Sequence, residues 1–205
     1  MKARYLILTI ALFIGACANP INERTAINYY QAGEEAMING QLLHAKEMFS
    51  RALINARLGH MGDEAEGQVL KKLGQVHGNL CEYSKAEQSF LEAVSKYEIV
   101  YGKGSPLTFP VRAELAQFCF DTGQYPKAIK YYERALKVGE SKLKEVDPKT
   151  YSLIMYDYSV ALEQSGNLNK SKQVLAVANE YSTKAVAASV AGSEEYVPYP
   201  KSCAK

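Results

Sequence analysis

The 205-residue sequence has no tryptophan, only three histidines and four cysteines, and no apolar run of the roughly 20 residues that a membrane-spanning helix needs. Each shortage excludes something. His44, His60 and His77 are spread along the chain at a spacing that no metal-ligand motif shares. His77 falls on an apolar helical face and reads as a core histidine. The sequence has no GxSxG, no P-loop and no HExxH, so no catalytic residue, cofactor or metal site is expected. Charge of neither sign dominates: 24 Lys and Arg stand against 22 Asp and Glu. Two of the cations, Lys2 and Arg4, lie in the opening segment, and the remainder balances. Without a basic stripe interleaved with aromatics, nucleic acid is not an expected partner. The length suits one sizeable domain.

The opening segment carries the first positive signal. Tyr5 to Phe13 is almost continuously apolar and follows the positive Lys2 and Arg4. It is too short to span a bilayer but has the length of a secretory h-region, and small residues end it. The stretch Ile14-Gly15-Ala16-Cys17 resembles the lipobox of bacterial lipoproteins: an aliphatic residue, two small residues, then cysteine. The family usually has Leu where Ile14 stands. The resemblance implies a lipoprotein signal peptide over 1–16 and acylation of Cys17. A multiply acylated cysteine anchors stably where a single chain does not. Ala18, in place of the Asp that favours the inner membrane, points to the outer membrane and a periplasm-facing domain. Residues 17–22 then form a tether. With helical pattern starting near Asn22, the tether reaches about 15 Å at ~3.3 Å per residue.

The second signal is a repeat. AKEMFSRAL (45–53), AEQSFLEAV (86–94) and AIKYYERAL (128–136) each read Ala, three residues, aromatic, two residues, Ala. SKQVLAVAN (171–179) keeps the spacing with Ser171, Leu175 and Ala178. The period is 41 to 43 residues, the range of a solenoid. Positions i, i+4 and i+7 share one helical face, so a small residue admits a neighbouring helix and the aromatic fills the gap. Upstream of each lies a partner helix with its own apolar face: Tyr29, Ala32, Gly33 and Ala36; Leu70, Leu73, Gly74 and His77; Leu115, Ala116 and Cys119; Met155, Tyr158, Ser159 and Leu162. The paired helices are separated by NGQ (39–41), TGQ (122–124) and SGN (165–167), whose glycines supply a left-handed C′ residue. Cys81 stands in that place in the second unit. Asp147-Pro148 reads as an N-cap followed by Pro at N1, Asp63 with Glu66 as a capping box, and GKGSP (102–106) as a break.

This arrangement resembles the tetratricopeptide-repeat family, in the longer variant similar to kinesin light chain. The departures are the missing Trp, Cys81 for Gly, His77 for Tyr and a degenerate last unit. The resemblance covers 23–188 and implies an all-α right-handed solenoid of about four helix-turn-helix units, near 26–59, 67–100, 109–142 and 152–185, followed by a Pro/Tyr-containing tail over 189–205. Four units exceed the roughly three that such stacks need. The family register implies a concave groove lined by Tyr30, Glu34 and Met37, by Lys71, Gln75 and Asn79, by Gln117 and Asp121, and by Tyr156, Val160 and Gln164. Such a mixed polar surface with aromatic anchors suits an extended peptide or a helix from another protein. Lys71 and Gln75 resemble the carboxylate-gripping residues of some family members, without the full set.

Cys81 and Cys119 read as small interior residues. A bond between them is the alternative that an oxidising compartment permits. On the last helix, Val177, Tyr181, Ala185 and Ala188 form a stripe with no later helix to cover it. The tail with Tyr196, Val197, Pro198, Tyr199 and Pro200 is one candidate cover, and a second copy of the chain is another, which would make a homodimer through the last helix. The expected function is a lipid-anchored, non-catalytic scaffold that binds envelope proteins through the groove. The alternative is a pilotin-like assembly factor for a pilus or secretion pore.

Overall fold

In the computed structural model, residues 19–188 and 198–201 are described, with side chains to Lys184 in the last helix. The expected signal peptide, Cys17, Tyr196, Val197 and Cys203 lie outside the described residues, as do the side chains of Ala185 and Ala188. Eight α-helices follow one another, with no strand among the described residues. They are α1 (Pro20–Ile38), α2 (Leu42–Leu58), α3 (Asp63–Asn79), α4 (Tyr83–Tyr101), α5 (Phe109–Asp121), α6 (Tyr125–Val146), α7 (Pro148–Gln164) and α8 (Leu168–Ala188). A short 3₁₀ turn, Pro106–Thr108, precedes α5. Consecutive helices pair as hairpins, and the four hairpins stack as an α-solenoid.

The recurring Ala–aromatic–Ala set forms the seams. Ala45, Phe49 and Ala52, then Ala86, Phe90 and Ala93, then Ala128, Tyr132 and Ala135 are completely buried. In the first two hairpins the aromatic presses on a glycine of the partner helix. A Cβ on Gly33 would come within 2.7 Å of the Phe49 ring, and one on Gly74 within 2.8 Å of Phe90. Ser171 and Ala178 are buried in the fourth hairpin, while Leu175 is half-buried.

The turns follow one geometry. Gly40, Gly123 and Gly166 take φ of +70°, +75° and +80°. Cys81 takes the same left-handed position at φ +61°. There the Cys81 N–H donates to the Gly78 carbonyl and the Glu82 N–H to the His77 carbonyl, which closes the helix as glycine does elsewhere. For a non-glycine residue this conformation costs roughly 1–2 kcal/mol. Cys81 is half-buried and disulfide-bonded, whereas Cys119 is fully buried and free. The alternative of a Cys81–Cys119 bond is therefore ruled out. Burial pushes the Cys119 thiol up to about 12, which leaves it inert.

Two other expectations change. α1 starts at Pro20, with the Asn19 side chain accepting from the Ile21 N–H at 3.2 Å, so the helix begins two residues before Asn22. Asp63 is no capping-box residue. Gly62 is the N-cap, at φ +89°, and Asp63 is the first helical residue. Its carboxylate turns to Lys96 on α4 at 2.7 Å, and Glu66 joins the same ammonium at 2.8 Å. Asp147 caps α7 as expected, accepting from the Thr150 N–H at 3.0 Å.

On α8, Tyr181 turns inward, edge-on to Tyr151 at 4.7 Å, and Val177 packs against the core. The described part of the stripe is thus largely used inside the fourth hairpin. Tail residues 198–201 do not cover it: Tyr199 lies far back along the stack, against Gly78 and Phe118.

An ionic clasp joins the first two hairpins. Glu82 accepts from Lys46 on α2 at 2.9 Å, and its second oxygen meets His77 Nδ1 at 2.5 Å. These partners, Lys46 first, hold the Glu82 carboxyl down at about 2. A depressed folded value stabilises above the usual carboxylate range, and the gain is lost as pH falls from about 4 toward 2. Glu82→Gln should cost about 1 kcal/mol at pH 7, discounted for partial exposure. Urea titrations at pH 7 and pH 2 check this: the difference between the variant and the parent should vanish at the lower pH.

Candidate peptide-binding groove

The first helices α1, α3, α5 and α7 stand side by side, joined by polar contacts across each seam. Lys72 on α3 pairs with Glu34 on α1 at 2.9 Å. Gln75 on α3 donates to Glu114 on α5. Gln117 on α5 bonds Asp157 on α7. Of the residues expected to line the groove, Glu34, Gln75 and Gln117 take part in these seams. The structure shows that many of them already have partners.

At the α1 end, Tyr30 packs edge-on against Phe49 at 5.6 Å. Burial, together with its hydrogen bond to Glu34, pushes its phenol up to about 12. Beside it lies a hollow of about 230 Å³ between α1 and α3, with Ile27, Tyr30, Met61 and Val69 on its walls and Gln31, Glu34 and Gln68 at its edge. Met37 is half-buried, packed on the core of the first two hairpins. This hollow combines an apolar floor with a few polar groups, as binding sites commonly do.

In the middle, Gln75 donates to a carboxylate of the protein's own, Glu114, and the Lys71 charge favours its ionised form. Glu114 is raised by burial, and Lys71, Gln75 and Lys72 oppose that shift. The expected likeness to a C-terminal carboxylate clamp is thus satisfied internally. The Asn79 side chain turns back to the Gln75 carbonyl at 3.1 Å.

Gln117 is the hub of the next seam. Its amide nitrogen donates to Asp121 at 3.1 Å, and its oxygen accepts from the Tyr132 hydroxyl at 3.0 Å. Asp157 is raised to about 6 by burial first and by the neighbouring Asp121, with the Gln117 hydrogen bond pulling the other way. Asp121 is only 5% exposed, and its carboxylate accepts from the Tyr199 N–H of the tail at 3.1 Å. At the α7 end the face opens again: Tyr156 is 52% exposed, Gln164 is exposed and Val160 is half-buried.

Glu114, Asp157, Gly78 and Tyr199 escaped sequence reasoning. Glu114 had a signal, since it lies three and seven residues before Gln117 and Asp121 on one helical face. Gly78 had another, a glycine inside a helix with no turn to make. The other side of the stack carries a cleft of about 550 Å³ between α4, α5 and α6, where Arg134 and Lys137 border Leu91, Val94 and Val138. Its innermost cation, Arg112, is held by Glu98 at 2.8 Å and by the Lys103 carbonyl at 2.8 Å.

Among the described residues no group of three or more His, Cys, Asp or Glu could hold a metal ion. No helix there is long and apolar enough to cross a membrane.

Comparison with known proteins agrees with this geometry. The tetratricopeptide-repeat family model matches residues 65–141, the second and third hairpins. No curated protein matches the sequence. Among solved structures, BtubC (BKLC) from P. vanneervenii superposes with a TM-score of 0.72 at 18% identity, over 88% of this chain and 68% of that one. A point variant of nearly identical TPR-like repeats, assigned to a Podospora anserina kinesin light chain, superposes with a TM-score of 0.63 at 14% identity, over 79% of this chain and 76% of that one. At such identities the likeness speaks for the fold. The matched hairpins are flanked on both sides by copies of the same buried motif, so residues 65–141 are similar to the tetratricopeptide-repeat family and the stack has the fold of such a solenoid.

Proposed function

We propose that this chain is a lipid-anchored, non-catalytic scaffold that gathers envelope proteins along its first-helix face. Tetratricopeptide arrays bind protein partners, and the observation that carries the reading here is the continuity of that face. It runs from the α1–α3 hollow past Lys71 and Gln117 to Tyr156, with apolar anchors at both ends and satisfied polar groups between. Fixed polar groups beside apolar hollows give an extended polypeptide both register and affinity. Anchoring rests on the Ile14–Cys17 motif alone. α1 starts at Pro20, so a lipid on Cys17 would hold the first hairpin close to the membrane surface.

Photo-crosslinking residues placed at Gln68 and Tyr156 in cells test the face, with Ile54 and Ile99 as comparison positions outside it. The expected result is protein adducts from the first pair. Adducts from the comparison pair alone would overturn the groove. Metabolic labelling with an alkynyl fatty acid tests the anchor separately: labelling should be lost in Cys17→Ala, and an unlabelled parent chain would remove the anchor while leaving the scaffold.

A further inference from the structure

We infer that the notch between the C-terminal ends of α3 and α5 is a binding site for an extended tyrosine–proline segment, and that the chain's own tail, by filling it, keeps other polypeptides out. The inference rests on the reading of the first-helix face as a polypeptide-binding surface and names one ligand class for it.

The site is built. Tyr199 is only 7% exposed although Pro198 beside it is exposed. Its ring lies over Gly78, where a Cβ would come within 2.7 Å of it, and meets Phe118 edge-on at 5.5 Å. Two polar contacts flank the ring. The Tyr199 N–H donates to Asp121 at 3.1 Å, and the Pro200 carbonyl accepts from the Tyr83 hydroxyl at 2.6 Å. A side-chain pocket between two main-chain hydrogen bonds is how extended peptides are recognised. The tail reads Val-Pro-Tyr-Pro over 197–200. Each proline fixes its own φ and biases the residue before it toward extended backbone, so little order is lost on docking. Gly78 is the penultimate residue of α3, and the tyrosine ring leaves no room for a Cβ there.

Tethered beside its own site, the tail outcompetes free peptide through its high effective concentration.

The probe is a fluorescein-labelled peptide of residues 195–201, EYVPYPK, read by anisotropy. Full-length Tyr199→Ala, with folding checked by circular dichroism, should bind it at least tenfold tighter than the parent. Adding Gly78→Ala should abolish the gain. If that double variant fails to fold, Tyr83→Phe added to Tyr199→Ala serves instead and should weaken binding. Equal binding by Tyr199→Ala and the parent overturns the proposal. If crosslinks from Gln68 and Tyr156 persist in that case, the scaffold reading stands and this site alone falls.

Discussion

Phe90→Ala should lower the unfolding free energy by about 4 kcal/mol, the upper range for truncating a buried aromatic. Phe90 is fully buried, rests on Gly74 and meets Phe118 of the next hairpin at 5.7 Å. Removing the ring therefore opens a cavity at the centre of the stack and at a seam, where two hairpins lose a partner together. In a quasi-one-dimensional array, a damaged seam uncouples what lies on either side of it. Urea titration followed by ellipticity should show both a lower midpoint and a shallower slope, because the array no longer unfolds as one unit. A loss below 1 kcal/mol would mean that the second and third hairpins are not packed through this ring.

Asp157→Asn should do the opposite and stabilise the chain by about 1–2 kcal/mol at pH 7. The folded carboxyl sits at about 6 because burial and Asp121 disfavour its charge. A folded value raised above the unfolded one means that the native state holds the proton more tightly. The ionised group is then a liability that grows as pH rises from about 4 and is complete above about 6. Asparagine removes the charge and keeps an oxygen for the Gln117 amide. Measured at pH 7 and pH 4, the gain of the variant should be present at the first and absent at the second. A variant no more stable than the parent at pH 7 would refute the assignment.

What could be read from the sequence follows the range of the interactions. The Ala–aromatic–Ala seams and the Gly turns are local patterns repeated at a fixed interval, so Phe49, Phe90 and Tyr132 could be placed before any coordinates. The Asp147 cap was legible because one short dipeptide encodes it. Asp63 misled, since its local pattern fits a capping box while Lys96, one helix away, claims its carboxylate. Glu34, Gln75 and Gln117 were legible as polar positions of first helices, but their partners were not. Gln75 and Glu114, or Gln117 and Asp157, meet across about forty residues, and no local rule says which polar group of one repeat answers which of the next. The tail lay furthest beyond reach: Tyr199 finds Asp121 across 78 residues of chain. Only the unexplained Gly78 hinted that something docks there.

Phe109, where the connector from the second hairpin enters α5, seats directly on Gly139 of the 22-residue α6, so closely that any side chain at that glycine would collide with the ring. The long α6 is thus pinned where it passes the shorter α5, and the crossing of the two helices of the third hairpin is fixed at this spot. A single methyl group there would act as a wedge between them. The way this hairpin closes is set by one missing carbon.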